Sequence, residues 1–276
     1  MKMTREIRAP RAPNLRRAKL FLKKAAGDEI LSVDKFRSIG TKILESSYPQ
    51  YADEYLNLLI LLGFVKRVKR SIVILKETRP MADKFTYENR LTTFEMEVFR
   101  RRLLSTGLIV WFLKEIFKYE PKGGKGSPRA LKLKDIAKEY SDLTGLSPTT
   151  SRREAKLIKD WLGQVGLLEQ SYSGKYYLTL RNISFELFER LFREEYDEIE
   201  KSKASRTKWV EIAPIQASIC EKFSISKEAF DSHFRRLVDS NKEMISVSPG
   251  SAGIKDVRKF GVKMNNKLVY YIKFNR

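Results

Sequence analysis

A single cysteine, Cys220, and a single histidine, His233, occur in 276 residues. One thiol can form neither an internal disulfide nor a cysteine-based zinc site. One imidazole leaves no Ser–His or Cys–His nucleophile unless His233 alone serves. The expectation is no metal, no cofactor and no catalytic centre, with Cys220 packed in the core of a reduced intracellular protein. Long apolar runs are missing too. LNLLILLGFV at 56–65 is far short of the ~20 residues that cross a bilayer. The opening MKMTREIRAPRAPNLRRAKLFLKK has no apolar signal-peptide core. These features point to a cytoplasmic chain with no membrane partner.

What the sequence has is positive charge. Lysine and arginine number 55 and aspartate and glutamate 34, so the net charge is 55 − 34 = +21. A field of this sign and size favours a polyanion, of which nucleic acid is the commonest. The apolar fraction, 42%, is enough to bury a real core, and the length suits two or three domains.

Residues 1–13 are basic, carry Pro10 and Pro13, and read as a flexible arm. From Asn14 the spacing turns helical, with Leu15, Ala18, Leu22 and Ala25 on one face. SVDKFRSIGTKILESS is a second helix capped by Ser32, and YPQYADEYLNLLILLGFV a third that stops at Gly63. VKRVKRSIVIL reads as a hairpin, and a boundary falls near Lys84. TTFEMEVFRRRLLSTGLIVWFLKEIF reads as one long helix and KLKDIAKEYSDLTG as a short one stopped by Gly145. SFELFERLFREEYDEIEKSK is amphipathic, with Phe185, Phe188, Phe192 and Ile199 on one face among acidic residues. In the last segment, EMISVSPG and KLVYYIKFN are β-rich stretches flanking a basic loop.

One arrangement recurs three times: helix, stop, apolar pair, hairpin. Leu56–Gly63 is followed by Phe64 and Val65, Ile158–Gly166 by Leu167 and Leu168, and Phe234–Asn241 by Met244 and Ile245. Glycine and asparagine accept the left-handed backbone that closes a helix. Three helices and a β-wing make a winged-helix domain. The expected fold is mainly α with small β-wings (α+β). Three tandem winged-helix-like modules are placed at 14–84, 85–182 and 205–276, after the arm at 1–13, with an amphipathic connecting helix at 183–204.

The third helix of such a domain can lie in the DNA major groove. In the middle copy Ala155, Ile158, Leu162 and Val165 face inward, and Arg152, Lys156 and Lys159 share the opposite face with Arg153 nearby. Thr149 and Thr150 sit at its N-terminal end, where backbone N–H groups can meet a phosphate. Arginine can read guanine bidentately, whereas lysine holds phosphates. The stretch 147–180, which from Arg153 reads REAKLIKDWLGQVGLLEQSYSGKYYLTL, resembles winged-helix DNA-binding domains. In particular it resembles those of FokI-type restriction-enzyme recognition regions, in which a helix ending WL-x-x-x-G-L leads into a short hairpin. Here that pattern is Trp161, Leu162, Gly166 and Leu167. Such regions string three winged-helix-like subdomains together. The resemblance implies binding of double-stranded DNA, at a defined site, and does not imply cleavage.

Further DNA-binding candidates are Lys175 on the middle wing, and Lys227, Ser232, Arg235 and Arg236 on the third helix of the last copy. Lys255, Arg258, Lys259 and Lys263 lie on its wing. The first copy offers wing cations Lys66, Arg67, Lys69 and Arg70, but its third helix shows Gln50, Asp53, Glu54 and Asn57, a poor surface for phosphates. That module, or the acidic helix at 185–200, is a candidate protein-binding surface. KGGKGS at 122–127 fails as a phosphate loop because Tyr119 stands where its first glycine is required. The expectation is a non-enzymatic, nucleoid-associated double-stranded DNA-binding protein: a replication initiator, a regulator or a DNA-recognition component of a defence or restriction system. The alternatives are a structural subunit of a chromosome or transcription complex and a divergent nuclease. RNA binding is a fourth reading, although the sequence shows no obvious aromatic stacking platform.

Overall fold

The structure is a computed structural model and describes residues 8–46, 48–119, 128–202, 209–250 and 260–275. Arg5, the KGGKGS loop, Lys255, Arg258 and Lys259 lie outside the described residues. The chain is mainly helical with small antiparallel sheets. It divides into two compact units, Met1–Ile116 with Leu133–Leu167, and Phe117–Lys132 with Leu168–Arg276.

The first unit opens with α1 (Leu15–Ala25), β1 (Ile30–Ser32), α2 (Val33–Leu44), α3 (Gln50–Leu61), β2 (Val65–Val68) and β3 (Ser71–Ile74). Ser32 caps α2 by accepting from the Lys35 N–H at 3.1 Å. The forecast face of α1 is buried, and the Phe21 ring stacks on Phe36 at 5.0 Å and Tyr55 at 5.1 Å. Helices α2 and α3 approach closely at Gly40, where a Cβ would lie 2.4 Å from that of Ala52. Gly63 closes the α3 end in the left-handed region, φ 65°, and the chain turns into β2. All pairings are antiparallel, in the order β1-β3-β2.

After α4 (Arg79–Asp83) come α5 (Thr93–Leu104), α6 (Gly107–Phe117), α7 (Leu133–Thr144) and α8 (Pro148–Gln164). The long helix expected over 92–117 is thus two. The Ser105 hydroxyl donates to the Arg101 carbonyl at 2.8 Å and that of Thr106 to Leu103 at 2.8 Å. The same Thr106 oxygen accepts from the Ile109 N–H at 3.4 Å. Hydroxyls that compete for backbone groups end one helix and start the next.

The boundary expected near Lys84 is crossed by a buried network. Lys19 Nζ donates to Glu95 Oε2 at 2.9 Å, the Arg90 carbonyl at 2.6 Å and Thr86 Oγ1 at 3.1 Å. Both charged side chains are 0% exposed. Glu95 also accepts from the backbone N–H groups of Thr86 and Thr92, each at 2.7 Å, completing a capping box on α5. Burial works to raise the Glu95 pKa, but these N–H donors and Lys19 outweigh it and hold it below the usual carboxylate value. Farther along α5, Arg100 donates to the Val165 carbonyl at 2.9 Å and caps the C-terminal end of α8.

The second unit holds the hairpin β4 (Leu168–Gln170) and β5 (Tyr176–Leu178). It continues with α9 (Phe185–Ser202), β6 (Val210–Glu211), α10 (Ile212–Phe223), α11 (Lys227–Ser240), β7 (Ile245–Ser248), β8 (Val262–Met264), β9 (Lys267–Val269) and β10 (Tyr271–Phe274). The sheet order is β6-β10-β7. The β8–β9 turn places Asn265 and Asn266 at φ 45° and 62°, as a tight two-residue hairpin requires. Phe188, Phe192 and Tyr196 of α9 lie in this unit's core with Phe230, Phe234 and Ile272. The segment read as a connector is therefore this unit's first packed helix, because its apolar face is covered. Asn241, expected to be left-handed, has φ −131°. Its side-chain amide donates to the Leu237 carbonyl at 2.9 Å and ends α11 instead. Of the following pair only Ile245 is buried, while Met244 is exposed.

One order of elements occurs at both ends of the chain: helix, strand, helix, helix, strand, strand, with the last strand central. Residues 15–74 follow it, and residues 185–274 follow it with the separate hairpin β8–β9 inserted before the last strand. Between them α6, a bridge at Leu131, α7, α8, β4 and β5 keep the sequence order, and Leu131 pairs with Tyr176 of β5. The expected module at 85–182 is divided, with most of its helical residues in the first unit and its hairpin in the second.

Removing one partner of a buried ion pair strands the other charge. Lys19→Met is expected to destabilise the first unit by about 3–5 kcal/mol in urea unfolding. Lys19→Met/Glu95→Gln, which removes both charges but keeps an oxygen for the Thr86 and Thr92 N–H groups, should recover part of that loss, and no recovery would mean that the stranded charge is not the cause.

Candidate nucleic-acid interface

Helices α7 and α8 meet through the short turn 145–147, with Gly145 at φ 69°. Ser147 caps α8 by accepting from the Thr150 N–H at 3.4 Å, and Pro148 occupies its first turn. The Tyr140 hydroxyl of α7 donates to buried Glu154 of α8 at 3.0 Å. Burial and the Glu154 carboxylate push the Tyr140 pKa upward, so the phenol remains a donor. Ala155, Ile158, Leu162 and Val165 are buried. Trp161 Nε1 donates to the Ala12 carbonyl at 2.7 Å, and Gln164 joins both the Leu15 N–H, at 2.9 Å, and the Pro13 carbonyl, at 2.8 Å. Residues 8–13 of the expected flexible arm are therefore strapped onto α8, with Ala9 and Ala12 buried.

On the outer face Arg152, Arg153, Lys156 and Thr149 are exposed and Thr150 is half-buried. Lys156 is 62% exposed and pairs with Asp160 at 3.1 Å, an exposed contact of little energy. Lys159 is only 16% exposed and pairs with Asp160 at 2.6 Å. It sits at the edge of the cationic face, and the open cations are Arg152, Arg153 and Lys156. Arg8 and Arg11 are also exposed in this unit, and Arg8, Arg11 and Arg153 line one surface cavity.

The acidic residues of α3 have internal partners. Arg37 grips Asp53 through two bonds, 2.9 and 2.7 Å, and Glu54 accepts from the Arg11 N–H at 2.7 Å. Gln50 and Asn57 are exposed. Lys66, Arg67, Lys69 and Arg70 are all exposed at the β2–β3 hairpin, a basic tip on the same unit.

In the second unit the predicted cations are more engaged. Lys175 pairs with Glu221 at 3.3 Å, and the Ser171 and Ser173 hydroxyls donate to the same carboxylate. Lys227 is held by Asp231 and the Gly261 carbonyl. Arg235 donates to the Lys263 carbonyl at 3.4 Å, and Arg236 lies over the Phe185 ring at 4.1 Å. Ser232 and Lys263 are exposed. His233 stacks on Phe188 at 5.1 Å. Burial lowers its pKa and Arg236 adds to this, against the opposing effects of the Ile183 backbone and Glu186. Cys220 is buried, and burial pushes its thiol to about 12.

Sequence reasoning missed the contributions of Arg37 and Arg100. Arg37 reaches Asp53 on the next helix and Arg100 the Val165 carbonyl 65 residues on, meetings that no local spacing marks. Among the described residues no helix is long and apolar enough to cross a membrane, and no three His, Cys, Asp or Glu side chains are grouped to hold a metal ion. No family model and no curated protein matches the sequence. Among solved structures, that of the restriction endonuclease FokI is similar at a TM-score of 0.43 and 12% identity. The match covers 99% of this chain and 64% of that one, so the chain spans less than two thirds of the enzyme's length.

His233 supplies a pH test. Its folded pKa lies below the ordinary 6.5, so the unfolded chain binds the proton first and stability falls as the pH drops below 6.5. His233 is the only histidine. His233→Phe is expected to flatten the stability profile between neutral and mildly acidic pH, measured by urea unfolding, and an unchanged slope would assign it to carboxylates.

Proposed function

We propose that this chain is a non-enzymatic, double-stranded DNA-binding protein assembled from three winged-helix-type sets of elements. The observation that carries the reading is α8, which buries one apolar face completely and leaves Arg152, Arg153 and Lys156 in water on the other. A net charge of +21 supplies the long-range attraction. Arg152 and Arg153, near the start of the helix, are placed to meet base edges, with Lys156 on the phosphates. The β2–β3 tip, with four exposed cations, is a second backbone contact. The repeated order of elements supports the winged-helix assignment, in which the third helix of each set is the reading element. Sequence-specific recognition belongs to the same proposal.

Duplex affinity is expected to fall steeply with salt, because each phosphate contact releases counterions. Arg152→Ala/Lys156→Ala should weaken duplex binding by about ten-fold and lower the log–log salt slope by about one to two. Fluorescence anisotropy across a salt series measures both. No duplex binding by the unaltered protein at low salt would sink the proposal.

A further inference from the structure

We infer that a cleft beside the start of α3 in the first unit binds an unpaired nucleotide of a single-stranded DNA segment. The cleft has a volume of about 460 Å3, within the range of about 300–1,000 Å3 that holds small ligands. Its lining combines the groups that a nucleotide needs. Arg11 and Arg17 supply cations for a phosphate, Gln50 an amide for a base edge, and Tyr51 an aromatic face. Tyr55 also lines it; burial raises the pKa of this hydroxyl, which takes a hydrogen bond from Arg17 and keeps its own proton to donate.

Two features select a strand over a free nucleotide. The first is charge. Glu54 also lines the cleft, fixed at 2.7 Å to the Arg11 N–H. Two guanidinium groups and one carboxylate leave a single net positive charge, which matches one phosphodiester and falls well short of a triphosphate. The second is the aromatic pair. Tyr51 is 54% exposed and Tyr48, next to it, is 58% exposed, with ring centroids 5.9 Å apart at 71°. Scattered exposed aromatics need no explanation. Tyr48, in edge contact with the tyrosine that lines the cation-lined cleft, offers a second stacking face for the neighbouring base, which a mononucleotide would leave unused. Tyr51 stands on the first turn of α3, and the Ser46 hydroxyl accepts from the Tyr48 N–H at 3.2 Å. None of these residues belongs to the outer face of α8, and the inference stands apart from the duplex reading.

A protein this basic attracts any strand, so the test must hold charge constant. Anisotropy of the full chain is measured with a short labelled oligonucleotide lacking self-complementarity and with an abasic strand of the same length. The base-bearing strand is expected to bind about ten-fold more tightly, and Tyr48→Ala/Tyr51→Ala should bring the ratio close to one. Tyr51→Phe, which keeps the ring, should retain the preference, and thermal unfolding checks that each variant is folded. An equal affinity for both strands, or a preference that survives the double alanine variant, overturns the inference. Deoxycytidine monophosphate as competitor separates the two sources of the ligand. Failure to displace the strand supports it as the ligand, and displacement at concentrations matching the strand's per-nucleotide affinity assigns the cleft to free nucleotides and overturns the strand reading. Duplex titration of Arg152→Ala/Lys156→Ala runs in parallel, so loss of one activity with retention of the other tells which reading has failed.

Discussion

Lys19 and Glu95 form the contact on which the first unit is built. Each charge is fully buried, and each is tolerable only because the other, together with backbone donors and acceptors, surrounds it. The pair ties α1, in the first set of elements, to the start of α5. Helix α5 then places Arg100 on the last carbonyls of α8. From the other side Trp161 and Gln164 fasten α8 to residues 12–15. The orientation of α8 within its unit thus follows from one buried ion pair, one arginine cap and one strap.

Cations that look equivalent along the chain differ once the fold is formed. Lys19 is structural, and Arg37 and Arg100 are spent on a carboxylate and on carbonyls. Lys175 and Lys227 are ion-paired within the second unit. Arg152, Arg153 and the cations of the β2–β3 tip stay in water. An exposed pair such as Lys156–Asp160 costs little to break, so Lys156 remains available to a phosphate. Electrostatic attraction to a polyanion belongs to the whole chain, whereas the contact surface belongs to these few residues.

Much of the local structure was legible in the sequence. Apolar positions at helical spacing marked α1, α3, α8 and α11, and Ser32, Gly63 and Gly145 marked caps and stops, because these depend on near neighbours and backbone conformation. The failures share one cause. The long helix at 92–117 broke where two hydroxyls compete for backbone groups, which apolar periodicity does not register. Asn241 closed α11 with its side-chain amide on Leu237 and its backbone N–H on Val238, outside the left-handed region. The aromatic face of the segment at 185–200 was legible, but the core it joins, with Phe230, Phe234 and Ile272, is made by residues far along the chain.

By itself the sequence determined the helical class, the positive field, the repeated helix-to-hairpin exit and the amphipathic division of α8. These follow from composition and from periods of a few residues. Only the tertiary structure decided which charges are neutralised, that residues 8–13 are strapped down, and that Tyr51 shares one cleft with Arg11 and Arg17. Those outcomes require groups far apart in the chain to meet, as Lys19 meets Glu95 and Ala12 meets Trp161, and no local pattern encodes such a meeting.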